Sequence, residues 1–195
     1  MDTSRKRSVV YGVWLLIAAG LGLLAAFTLT LDKLQSLVKP DIAASCDFSV
    51  IVQCSANLAS AQGSVFGFPN PLIGLMAWPF ILLTGVLVLA NVKLPKFYWA
   101  VLLGGTILGT IFVGWLITQS IFFIGTLCPW CMVTWFAMIP TFLATLAHAG
   151  QQELFGAKAA KFFAAAKSYV PVTAFGIFFA IALMAQIRLD WIATL

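Results

Sequence analysis

Two pairs of cysteines carry the chemistry open to this chain. Cys128 and Cys131 flank Pro129 and Trp130 in a Cys-x-x-Cys, a spacing that sets both thiols on one helical face, close enough for a disulfide to open and close with little backbone movement. Pro129 suits a first helical position. Cys128 is then the N-cap, where unpaired N–H groups and the helix dipole favour a thiolate, and Cys131 lies one turn deeper. A thiol at the water boundary paired with one facing an apolar interior makes a relay whose inner sulfur can meet a lipid-soluble acceptor. Cys46 and Cys54, the second pair, stand eight residues apart. Asp47 beside Cys46 disfavours the Cys46 thiolate, a modest effect at an exposed site.

Two other readings use the same four residues. An all-thiolate zinc site takes ligands mostly in two short-spaced pairs, which the eight-residue spacing does not provide. A pair of inert disulfides stapling a loop needs no Cys-x-x-Cys at a helix start.

What must position the thiols is a membrane bundle. With 62% hydrophobic and 9% charged residues, the chain is far from the roughly 25% charged average of soluble proteins, and its apolar runs are too long for the core of one soluble domain. Five stretches approach or exceed the roughly 20 residues that span a bilayer: about 9–31, 71–92, 97–119, 128–148 and 169–187. Each is expected to be a helix, since backbone groups in lipid must be satisfied within the segment. The first follows Arg5, Lys6 and Arg7 as a signal peptide would. Its length and the lack of an Ala-x-Ala-like site mark it as a retained helix.

The basic residues fall on one side. Arg5, Lys6, Arg7, Lys93, Lys96, Lys158, Lys161 and Lys167 are eight of the eleven; Lys33, Lys39 and Arg188 lie opposite. The excess predicts a cytoplasmic N-terminus in the cell (inner, cytoplasmic) membrane, with all four cysteines at the outer face. That is the compartment in which disulfides persist in a bacterium. The net charge of +5 is accounted for as this orientation signal and calls for no nucleic acid partner.

The predicted fold is therefore an all-α integral membrane protein: a four-helix transmembrane bundle over residues 1–148 with an outer loop at 32–70, a cytoplasmic loop at 149–168, and a fifth transmembrane helix with a short outer tail at 169–195. In the outer loop, Pro40 ends a first part, Ser45 or Asp47 caps a short helix, Cys54–Ser60 forms a half-helix over the bundle mouth, and Gly63–Pro69 turns into helix 2. Apolar residues such as Phe48, Val50, Leu58 and Phe66 are expected to lay this loop on the membrane. Cys46, after the small residues Ala43, Ala44 and Ser45, is expected to be accessible. The basic, Ala-rich segment 151–167 reads as an interfacial amphipathic stretch. Gly105 and Gly109 form a Gly-x-x-x-Gly, expected to pack helices closely, with Gly114 further along. His148 falls at the far end of helix 4, a bilayer away from the cysteines.

Cys46-Asp47, Cys54-Ser55, then Ser60, Gly63, Phe66-Gly67, Asn70 and Gly74, with Cys128-x-x-Cys131 later, resemble the vitamin K epoxide reductase family from helix 1 to helix 4. The resemblance implies a four-helix bundle enclosing a quinone, menaquinone or ubiquinone or another vitamin K-type naphthoquinone, with the first loop as a lid. It implies that Cys131 is the quinone-side cysteine, that Cys128 exchanges with Cys54, and that Cys46 is the outer shuttle. Ser60 and Asn70 match polar positions facing the quinone; Leu58, Phe66 and Trp135 are expected beside them. Trp135 stands where the vertebrate enzymes carry Tyr. Bacterial relatives often continue into a thioredoxin-like domain after helix 5, which this chain does not have, so the expected partner is a separate thioredoxin-fold, DsbA-like protein.

The activity so implied is oxidative: partner thiols reduce Cys46–Cys54, Cys54 reduces Cys128–Cys131, and Cys131 reduces the quinone, each thiol step being ordinary exchange. Three alternatives stand: a vitamin K epoxide reductase proper, a DsbB-like enzyme of other topology, and a non-enzymatic membrane scaffold with structural disulfides. A DsbB-like order would put the Cys-x-x-Cys before the distant pair, the reverse of what is found here.

Overall fold

A computed structural model describes residues 3–39 and 43–190, with side chains from Ser8 onward. Pro40, the side chains of residues 5–7 and the tail after Asp190 lie outside it. Five helical stretches are long and apolar enough to cross a membrane: Ser8–Val38, Pro71–Leu89, Lys96–Ile124, Pro129–Gln151 and Ala157–Leu189. The chain is an all-helical, multi-pass membrane protein.

Helix α1 spans Thr3–Val38. The expected loop from Asp32 is thus corrected, because residues 32–38 remain helical. Asp32 and Lys33 end the hydrocarbon-compatible run, but charge does not break a helix, and no Gly or Pro follows before Pro40. At 1.5 Å per residue these 36 residues reach about 54 Å, well beyond a hydrocarbon core of about 30 Å. The last turns therefore stand clear as a post for the cysteine loop.

That loop contains α2, Ser55–Ala59, with Cys54 as its N-cap and Ser60 as its C-cap. Helix α3 is Pro71–Leu89, with Pro71 at its first turn. Helix α4, Lys96–Thr118, continues into one wider π-helical turn, Gln119–Ile124. Helix α5 is Pro129–Gln151. Within the stretch expected as a cytoplasmic loop, Ala157–Ala166 forms helix α6, and α7 is Val170–Leu189. Among the described residues there is no strand, only an isolated parallel bridge between Val52 and Leu127.

In the bundle α3 packs on α1, α1 on α5 and α5 on α4, with α7 lying lightly against α5. Close approach of α1 and α3 relies on Gly22, where an added Cβ would fall 2.1 Å from the Trp78 ring. Inside the apolar bundle, hydroxyls join α1 to α5: Trp14 Nε1 donates to Thr141 Oγ1 at 3.1 Å, and the Tyr11 hydroxyl meets Thr145 Oγ1 at 3.0 Å. His148 stacks on Tyr11 at 4.4 Å beside Trp99, plugging the end opposite the cysteines. There Lys96 on α4 pairs with Glu153 beyond α5 at 3.7 Å, an exposed ion pair that adds little stability.

Helices α3 and α4 are joined by a short turn yet do not pack closely on each other. This bears on the Gly-x-x-x-Gly. Gly109 does pack, its missing Cβ lying 2.7 Å from Met138 Cε, but Gly105 and Gly114 face open space. The expected close packing at Gly105 is corrected, because the gap between α3 and α4 leaves no helix there to meet it.

Candidate functional site

The site forms where the post of α1, the cysteine loop and the start of α5 converge. Cys46 and Cys54 are joined in a disulfide, while Cys128 and Cys131 are free thiols. The Cys128 Sγ stands 3.1 Å from the Cys54 Sγ. Cys54 is thus bonded to one sulfur and in contact with another, the arrangement thiol–disulfide exchange requires. Cys46, Cys54 and Cys128 are buried with Leu29 and Leu58, packed around by Ala44, Trp130 and Cys131. The expected accessibility of Cys46 is corrected: at 3% exposed it is covered by that cluster, whose apolar packing outweighs the small residues before it.

Local bonds explain how these sulfurs meet. Cys128 caps α5, its Sγ accepting the Cys131 N–H at 3.4 Å, which satisfies one of the helix's unpaired donors. The turn before it reverses at Gly125, whose φ of +76° suits glycine. It is closed by Gly125 N–H to the Ser120 carbonyl at 2.9 Å and by the Ser120 hydroxyl bonding the Thr126 carbonyl. Two backbone bonds then stitch this turn to the cysteine loop, Leu127 N–H to Ile51 O at 2.7 Å and Gln53 N–H to Leu127 O at 3.0 Å. Asn57 Nδ2 adds a bond to Thr126 Oγ1 at 2.8 Å.

The Asp47 carboxylate is turned to the start of α2. It accepts the Cys54 N–H at 2.7 Å, the Ser55 N–H at 3.0 Å and the Ser55 hydroxyl at 2.5 Å. Burial pushes this carboxyl up, but the Ser55 hydroxyl and the backbone N–H donors outweigh it and hold Asp47 below its ordinary range. At the other end of α2, Lys33 Nζ donates to Leu58 O at 2.6 Å, and so takes one of the carbonyls a helix end leaves unpaired. Sequence reasoning missed this contact, as it missed Asp32. The available signal was an adjacent acid and base at the end of an apolar helix.

Below α2 lies a cavity of about 470 Å³ that is almost wholly apolar, within the range of small-molecule sites. Leu58, Ser60 and Asn70 lie in its roof, Cys131 and Trp135 in its wall on α5, and Trp78 on α3. On α4 the lining runs from Tyr98 to Leu116, about 27 Å at 1.5 Å per residue. Phe80 and Val101 line it while remaining exposed on the outside, so it opens sideways between α3 and α4. Phe66 is not part of the lining. It is 61% exposed and packs on Phe68 and Phe112, since the turn before Asn70 carries it outside the roof.

The two expected polar residues are engaged in the roof itself. The Ser60 hydroxyl donates to Asn57 O at 2.8 Å and accepts from Gly63 N–H at 3.1 Å. Asn70 Nδ2 donates to Gln62 O at 2.7 Å, and its Oδ1 accepts the Val65 N–H at 3.2 Å. Tyr98 is a further polar group, at the far end of the cavity. Its hydroxyl donates to Thr84 Oγ1 at 2.6 Å, since the Thr84 proton goes to Phe80 O.

Residues 13–146 match the family model described as the vitamin K epoxide reductase family. Comparison with curated proteins finds no match.

Proposed function

The chain belongs to the vitamin K epoxide reductase family, and we propose that it is a membrane thiol oxidoreductase that reoxidises a separate thioredoxin-fold, DsbA-like protein and passes the electrons to a quinone. The observation that carries this reading is the line of sulfurs Cys46–Cys54···Cys128, ending at a Cys131 that borders a long apolar cavity. A structural staple has no use for a third sulfur at 3.1 Å, which weighs against the scaffold alternative.

A partner thiolate attacks Cys46 Sγ; the Cys46–Cys54 bond breaks and its electron pair leaves on Cys54. The partner's second thiol then closes the partner disulfide and leaves Cys46 as a thiol. Cys54 attacks Cys128 in the Cys128–Cys131 disulfide, expelling Cys131 as thiolate. Cys46 next attacks Cys54, re-forming the outer disulfide and leaving Cys128 and Cys131 reduced, the combination this structure holds. A quinone supplies a two-electron, two-proton acceptor, so that Cys128–Cys131 re-forms and the net change is partner dithiol plus quinone to partner disulfide plus quinol.

The fit of a quinone rests on the apolar lining, the depth along α4 and the lateral opening between α3 and α4, through which a lipid-soluble molecule reaches Cys131 and Trp135. Ser60 and Asn70 support it by fixing the roof. Because Cys46 is buried, the partner must displace its segment before attack. With eight of eleven basic residues at the end opposite the cysteines, the partner meets the protein at the outer face of the cell membrane.

Purified protein mixed with a reduced DsbA-like protein and ubiquinone or menaquinone should form one quinol per partner disulfide. Partner oxidation without quinol would contradict the reading, and faster reduction of vitamin K epoxide would replace it with the epoxide reductase alternative.

A further inference from the structure

Asp32 lies on the part of α1 that extends past the apolar run, and it is 8% exposed. Its Oδ2 accepts the Ser45 hydroxyl at 2.9 Å and stands 3.9 Å from Cys46 Sγ. In the disulfide that sulfur has no proton to share, so the oxygen is an acceptor awaiting the thiol that reduction produces. Among the described residues it is the charged side chain in hydrogen-bonding range of the Cys46 sulfur. The two neighbouring charges are committed elsewhere, Asp47 to the start of α2 and Lys33 to Leu58 O.

We infer that Asp32 is a positioning residue that keeps reduced Cys46 as a thiol and so makes Cys54 the thiolate that attacks the inner pair. An adjacent carboxylate destabilises a thiolate and accepts a hydrogen bond from the thiol. When the partner's second thiol closes the partner disulfide, its proton passes to Cys46 and is held toward Asp32. The electron pair from the broken disulfide stays on Cys54, 3.1 Å from Cys128. An ionised Cys46 would instead attack the partner disulfide just formed and expel a partner thiolate, and Cys54 would then displace the partner from Cys46, re-forming Cys46–Cys54 and returning the electrons to the partner. The inference rests on the electron route proposed above and adds its directionality.

The test uses full-length protein with Cys128 and Cys131 both replaced by Ser, reduced, and alkylated with iodoacetamide from acid to alkaline pH, the two remaining cysteines being followed separately by mass spectrometry. The midpoint of each pH profile reports thiolate formation and is not set by access. Cys46 should titrate above Cys54. Asp32→Asn should lower the Cys46 midpoint by about one pH unit, about tenfold faster alkylation at neutral pH, and leave Cys54 unmoved; Asp32→Glu should restore it. An unchanged Cys46 midpoint in Asp32→Asn overturns the inference. If that variant does not fold, a Cys46 midpoint at or below that of Cys54 in the parent overturns it equally. Neither partner nor quinone takes part, so failure of the quinone reading leaves this result intact, and the reverse holds too.

Discussion

Between Ala44 and Asn70 nearly every polar side chain grips a backbone group or another side chain, as Asp47, Ser55, Asn57, Ser60 and Asn70 all do. Along α3 and α4, a few residues below, the cavity wall is apolar and the two helices stand apart. The contrast follows from what each region handles. Exchange between sulfurs needs a fixed approach within a few tenths of an ångström, and directional hydrogen bonds supply it. A lipid-soluble acceptor needs a dry, roomy slot, and non-directional apolar contact supplies that.

Breaking the fixed region at its sulfur should have the largest effect. Cys128→Ala removes the acceptor 3.1 Å from Cys54, so quinol formation should fall to buffer background while the Cys46–Cys54 disulfide still forms, as a thiol count would show. Next in size is a change aimed at the slot. Gly22→Val pushes the Trp78 ring, whose atoms lie 2.1 Å from a Cβ there, toward the cavity. Overpacking of this kind costs about 1–3 kcal/mol, and the variant should show a raised KM for quinone with partner exchange unaffected. A changed rate of partner oxidation under single-turnover conditions would mean that the two regions are not separable.

The division between legible and illegible residues follows the same line. Local features were readable: the apolar runs that became the spans, Cys128-Pro129 as a helix start, and the half-helix after Cys54, each set by residues within a turn or two. What escaped the sequence depends on segments far apart meeting. Asp32 and Lys33 looked like the first loop residues because the apolar run stops at Leu31, yet they stay helical and find partners 13 and 25 residues on. Gly105 carried a packing signature that only the separation of α3 from α4 annuls. The family resemblance set Phe66 beside the quinone, and the turn before Asn70 faces it outward. Neither the bridge between Val52 and Leu127 nor the burial of Cys46 leaves a local trace.

Smaller effects should sharpen the comparison. Asn70→Ala leaves Gln62 O and Val65 N–H without their partner and should cost about 1–2 kcal/mol. Its readout is a lowered unfolding temperature with faster amide exchange confined to residues 61–70. The smallest effect concerns pH. Because Asp47 sits below its ordinary value of 3.8, it favours the folded loop above that value, and the contribution is lost as pH falls through the lower folded value. Amide exchange at Cys54 and Ser55, corrected for intrinsic rates, should quicken only below about pH 4, and Asp47→Asn should abolish that pH dependence.

The central claim is that electrons pass from Cys54 to Cys128 before reaching the cavity. Cys131→Ser tests it most directly, because Cys128 can then no longer be released by its neighbour. Peptide mapping of the unreduced variant should find a Cys54–Cys128 disulfide with Cys46 as a free thiol. Recovery of Cys46–Cys54 alone, with Cys128 unmodified throughout, would contradict the relay.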